Sequence, residues 1–183
     1  MSQKHTVTIV EARSPEDVAI ARTLFQEYAD SLDFSLCFQG FEDELATLPG
    51  RYALPSGRLL LAFDAMTGAN VALERAATAV GCVAMREIPP LPGDLGRVCE
   101  MKRLYVRPSA RGRGLGRLLV SRLLAEARDA GYAIMRLDTS QHWIEAQTLY
   151  ASFGFIPGPK YNDDDHEDTR FYELSLRRDV TTA

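Results

Sequence analysis

Cysteine is scarce in this chain: Cys37, Cys82 and Cys99 are all it has. They are scattered, odd in number and form no CxxC pair, which argues against a disulfide framework and against a structural zinc site. Long apolar runs are missing too. No stretch approaches the roughly 20 apolar residues that span a bilayer. The opening MSQKHTVTIVEARS holds nothing that could serve as a signal peptide. The expected location is the cytoplasm, with no membrane partner. Positive charge is in deficit, at a formal net charge of -4. That removes the basic stripe on which nucleic-acid binding depends.

What remains is ordinary for a soluble globular protein, with 46% hydrophobic and 25% charged residues. A length of 183 residues suits one domain over 1–183, with a core that needs neither disulfides nor a metal. Thr6–Glu11 alternates as a strand. Ser14-Pro15-Glu16-Asp17 reads as a capping box opening a helix, on which Val18, Ala21, Leu24, Phe25, Tyr28 and Leu32 fall at helical spacing. A short helix is expected over Phe41–Leu48, stopped by Pro49-Gly50. Strands follow at Arg58–Phe63 and Thr78–Ile88, forming a hairpin around a Thr67-Gly68-Ala69-Asn70 turn signal. Pro89–Gly96 is a loop and Val98–Val106 a strand.

A glycine-rich turn then leads into a helix over Leu115–Ala130. Leu115, Leu118, Leu119, Leu123 and Ala127 mark its apolar face, and Gly131 closes it. Ile134–Thr139 is a strand and Trp143–Phe153 a helix. Phe155-Ile156 starts a strand that Pro157-Gly158-Pro159 breaks, and Arg170–Leu176 closes the fold. The order β-α-α-β-β-β-α-β-α-β-β is that of a mixed α/β layer structure.

Strand, then Arg111-Gly112-Arg113-Gly114-Leu115-Gly116, then helix is a physical recipe for phosphate binding. The first turn of a helix has unpaired N–H groups and partial positive charge. Glycines let a phosphate come close, and Arg111, Arg113 and Arg117 add charged donors. With Arg103 and Arg107 they make a local basic patch, suited to a small polyanion. A nucleotide P-loop is absent, and the dinucleotide fingerprint fails because Arg117 stands where its third glycine belongs.

The segment CEMKRLYVRPSARGRGLGRLLV resembles the acetyl-CoA motif of the GNAT acetyltransferase superfamily, whose core [Q/R]-x-x-G-x-[G/A] is matched by Arg111, Gly114 and Gly116. The run Ala146-x-x-Leu149-Tyr150-x-x-x-Gly154-Phe155 and the terminal FYELSL are similar to the family's next helix and last strand. The resemblance implies a central mixed, mostly antiparallel sheet with helices on both faces and a splayed pair of central strands, here Val98–Val106 and Ile134–Thr139. It implies acetyl transfer from acetyl-CoA to an amine, either a small molecule or a peptide. Backbone groups of Leu104, Tyr105 and Val106 should then face the cofactor, with an N–H near Leu104 as oxyanion donor. Gly112, Gly114, Leu115 and Gly116 should line the phosphates.

Tyr150 matches the family's frequent general acid, and packing is its other reading. Glu100 is the candidate base, unless it pairs with Lys102 or Arg103. Trp143 departs from the pattern, standing where many relatives carry asparagine. The acceptor site is expected among the first two helices, the Asp30–Phe41 loop with Asp33 and Cys37, and the loop before the last strand, whose acidic Asn162–Asp168 run would draw a cationic amine but reads first as a solvated loop. Cys37 reads as a packed small residue, and His5, His142 and His166 are assigned no chemistry. Dimerisation is common in the resembled superfamily. A non-catalytic acyl-CoA sensor would carry the same phosphate loop.

Overall fold

The computed structural model describes residues 6–32, 40–65 and 76–177. His5, Asp33, Cys37 and the Thr67–Asn70 turn lie outside the described residues. Seven described strands form one sheet. They are β1 (Thr6–Glu11), β2 (Arg58–Ala65), β3 (Ala79–Ile88), β4 (Arg97–Val106), β5 (Tyr132–Ser140), β6 (Ile156–Pro157) and β7 (Thr169–Ser175). Their order is β1-β2-β3-β4-β5-β7-β6. Every pairing is antiparallel except the central β4–β5 pair, which is parallel.

Helices cover both faces. On one lie α1 (Pro15–Asp30) and α2 (Phe41–Thr47), on the other α3 (Leu115–Asp129) and α4 (Ile144–Ser152). This explains the unbroken apolar run of β2. Leu60 and Ala62 join the α3-side core, while Leu59, Leu61 and Phe63 join the α1-side core. A strand covered on both faces has no polar side to show. Burying each leucine is worth about 2 kcal/mol.

The expected box starts α1. Ser14 Oγ accepts from Asp17 N at 3.1 Å, and Ser14 N donates to the Asp17 carboxylate at 3.4 Å. One reading needs correction. Leu118 is 48% exposed rather than on the apolar face of α3. The buried stripe is Leu115, Leu119, Val120, Leu123, Leu124 and Ala127. At about 100° per residue, Leu118 sits roughly 150° from the middle of that stripe. Strand β6 does end in the Pro157-Gly158-Pro159 run, but Pro157 itself still pairs with Tyr172 as the strand's second residue. An edge strand tolerates proline because one side needs no donor.

Candidate active site

Strands β4 and β5 pair only from Arg97↔Tyr132 to Glu100↔Arg136, and beyond that point they part. A bulge lies just past the fork. Cys82 faces Tyr105 and Ala84 faces Lys102, so Arg103 and Leu104 together oppose Val83. Arg103 takes φ 57°, a left-handed conformation uncommon for a residue with a side chain. Its guanidinium is held in a fork by Glu44 of α2, at 2.9 and 2.7 Å.

The parting opens a cleft of about 1030 Å³. Tyr28, Ser31 and Leu32 line it from the α1 face, and Gly116, Leu149 and Tyr150 from the α3–α4 face. It therefore runs through the sheet.

On the α3 side, Gly114 is the N-cap at φ 77° and Gly112 has φ 75°. No side chain caps the helix, and a Cβ on either glycine would meet open space. The first-turn N–H groups thus keep their capacity for an anion. Leu104, Tyr105, Val106, Arg111 and Gly116 line the cleft. Leu115 is buried in the core at 2% exposure.

The expected basic patch is largely neutralised. Arg103 forks onto Glu44, Arg107 onto Glu27 at 2.8 and 2.6 Å, and Arg113 onto Asp64 at 2.7 and 2.9 Å. Arg117 donates to Ser152 Oγ at 2.8 Å and lies over the Phe153 ring. Among the described residues Arg111 donates only to the Val106 carbonyl, at 3.1 Å. The carboxylate partners sit far away in sequence, on α1, α2 and β2, so the cluster looks more cationic in the chain than in space.

Tyr150 is 7% exposed and its ring meets Phe155 edge-on. Among the described residues its hydroxyl takes no hydrogen-bond partner. Burial, then the Tyr28 hydroxyl and the Asp138 carboxylate, push its pKa up, so it keeps its proton.

Glu100 is fully buried. It accepts from Arg86 Nε at 2.6 Å and Tyr161 Oη at 3.0 Å, and Lys102 Nζ lies at 3.4 Å. It is not among the residues lining the cleft. Lys102 passes on to Asp138 at 3.1 Å, and Asn162 donates to Asp138 at 2.9 Å. Asp138 does line the cleft. Burial raises its pKa, but the Lys102 charge and the hydrogen bonds of Lys102 and Asn162 outweigh this, leaving it below the usual aspartate value.

Sequence reading missed Asp138 as a site residue. Its signal was available: in Ile134–Thr139, Arg136 and Asp138 fall together on one face of a strand between apolar residues. Tyr28 was read as core only. It lines the cleft, and its ring stands edge-on to Tyr105 and to Trp143. Burial, against the opposing Arg103 charge, pushes its hydroxyl up to about 12. His142, His166, Asp164 and Asp168 also border the cleft. His142 lies 3.3 Å from Asp168. Among the described residues no three potential metal ligands converge, and no helix is long and apolar enough to cross a membrane.

The parallel pair thus forks beside an uncapped, glycine-lined helix N-terminus. The chain belongs to the acetyltransferase (GNAT) family, whose match covers residues 34–155. It is 38% identical to an uncharacterized N-acetyltransferase of Schizosaccharomyces pombe, over 85% of this chain and 86% of that one. An uncharacterized N-acetyltransferase of Dictyostelium discoideum is 29% identical, over 93% and 99%. A Salmonella typhimurium structure solved with its cofactor acetyl-CoA shares the fold at TM-score 0.66 and 21% identity, over 95% and 96%.

Proposed function

We propose that the protein is an N-acetyltransferase, passing the acetyl group of acetyl-CoA to an amine by direct transfer in a ternary complex. The observation that carries this reading is the cleft through the sheet, lined from both faces. It lets a thioester and an amine meet at the fork from opposite sides.

The residues fit acetyl-CoA. The β5-facing backbone of β4 beyond Glu100 has no ladder partner, which suits the amides of a pantetheine arm. Phosphates would rest on the first-turn N–H groups around Gly112–Arg117, with Arg111 as the available guanidinium. Arg113 and Arg117 brace the turn through Asp64 and Ser152. When bound, acetyl-CoA supplies an activated acyl carbon; the amine nitrogen bonds to it as the carbon–sulfur bond breaks.

The Leu104 N–H, set by the bulge, stabilises charge on the acyl oxygen. Tyr150 gives its hydroxyl proton to the departing sulfur. Asp138 faces the amine, while Glu100 stands behind it as the counter-ion that, with Asp138, holds Lys102. The amine sheds its proton toward water in the cleft.

Two measurements check this machinery. Arg111→Ala weakens coenzyme A binding by about 1–3 kcal/mol in calorimetry; unchanged affinity removes Arg111 from the site. The pH profile of kcat/KM is the second. Asp138, held below its usual value, stays ionised at neutral pH, and Tyr150, held above its own, stays protonated. Neither group then changes charge between about pH 6 and 9, so the supply of neutral amine makes kcat/KM rise about tenfold per pH unit there. A flat profile contradicts this assignment.

The test of the function itself is coenzyme A thiol release from acetyl-CoA with a panel of amines. Amine-dependent release establishes the enzyme. Tight acetyl-CoA binding with no release from any amine favours a sensor.

A further inference from the structure

The α1-side half of the cleft has a distinct charge pattern. The lysine and arginine lining it there are already matched: Lys102 lies against Asp138 and Glu100, and Arg103 against Glu44. Asp164 also lines this cleft and is half-buried. Its carboxylate accepts from the His166 backbone N–H and from Thr169 Oγ1, both at 3.0 Å. Among the described residues no cationic side chain pairs with it.

Asp164 is also fixed relative to the reacting end. Asn162 accepts from Asp164 N at 3.1 Å with its oxygen and donates to Asp138 at 2.9 Å with its nitrogen. One amide side chain thus ties the segment carrying Asp164 to the carboxylate that faces the amine. Independently of that charge, Tyr150, 7% exposed, lines the same cleft, and its hydroxyl has no hydrogen-bond partner among the described residues.

An acceptor with a carboxylate near its amine, such as an amino acid, would find no unmatched lysine or arginine among the described residues here and would face Asp164. An acceptor with a second ammonium would complete the site. We propose that the acceptor is a short α,ω-diamine or longer polyamine, with one amino group beside Asp138 and Tyr150 and a second ammonium paired with Asp164. This rests on the N-acetyltransferase reading above. The reacting nitrogen gains the acetyl group and loses a proton, the sulfur leaves and takes a proton, and the second ammonium is unchanged.

The experiment compares three amines on one four-carbon chain: 1,4-diaminobutane, 1-aminobutane and 4-aminobutanoate. The expected kcat/KM falls in that order, by about tenfold at each step at low salt, as one charge pair is gained or reversed. The diamine preference shrinks at high ionic strength. Asp164→Asn cuts the ratio of diamine to monoamine at least about fivefold. If that variant does not fold, the wild-type comparison and its salt dependence decide alone. Equal use of the three amines, preference for 4-aminobutanoate, or an intact ratio in D164N overturns the inference and leaves the N-acetyltransferase reading standing. Acetyl-CoA binding without release from any amine overturns both.

Discussion

Tyr150→Phe lowers kcat by about a hundredfold and leaves coenzyme A affinity nearly intact. The substitution keeps the ring, and with it the edge contact on Phe155, so only the hydroxyl is lost. That hydroxyl sits in the cleft with no partner among the described residues, and burial holds its proton on. A departing thiolate is a weaker base than a phenolate in water, with reference values near 8.5 and 10. Desolvation in the cleft raises the proton affinity of the thiolate as well as that of the tyrosine, so the two move in the same direction. Without the proton, the carbon–sulfur bond must break to an unprotonated, poorly solvated thiolate. Equal turnover in the variant would assign Tyr150 to packing. A lower melting temperature alongside lower turnover would point the same way.

Glu44→Ala costs about 3–5 kcal/mol of folding stability, read by urea unfolding. The Arg103 side chain is 3% exposed, and the Glu44 carboxylate grips it with two short bonds. Tyr52 donates to the same carboxylate at 2.9 Å. Alanine removes all three acceptor contacts and takes the Glu44 carboxylate away from a buried guanidinium. Glu44→Gln keeps an acceptor oxygen and costs less. The pair also has an acid signature. Burial pushes the Glu44 carboxyl up, but the Arg103 hydrogen bonds and charge, with Tyr52, bring it below the usual glutamate value. A carboxylate depressed on folding contributes stability above its unfolded pKa and loses it as pH falls through the folded one. Wild type therefore loses this increment below about pH 4, where the alanine variant has none to lose. Parallel acid unfolding curves for the two proteins would count against it.

Legibility of the sequence followed the range of the forces involved. The Ser14–Asp17 box, the Gly114 turn and the apolar stripes are local, since each is fixed by residues within a few positions. They were readable, apart from Leu118, whose hydrophobicity hid its angular position. The forked pair was legible only through resemblance, because no residue in Val98–Val106 announces a bulge. Arg103 takes the left-handed conformation without being glycine, and a contact with Glu44, 59 residues away, holds it there. The same distance concealed the matched charges of Arg107 and Arg113. Glu100 stood out as a lone acid in an apolar strand, yet Arg86 and Tyr161, which enclose it, come from other elements.

A cleft with a mouth on each face of the sheet also governs traffic. A protein with a single entrance makes the second substrate wait for the first and the first product wait for the last. On the proposed reading, the nucleotide end of the donor and the body of the acceptor take different doorways, so each product retreats the way its precursor came. Neither doorway needs to close for the other to empty, and acceptors too long for the cleft can trail outside the α1 face while the reacting amine alone reaches the fork.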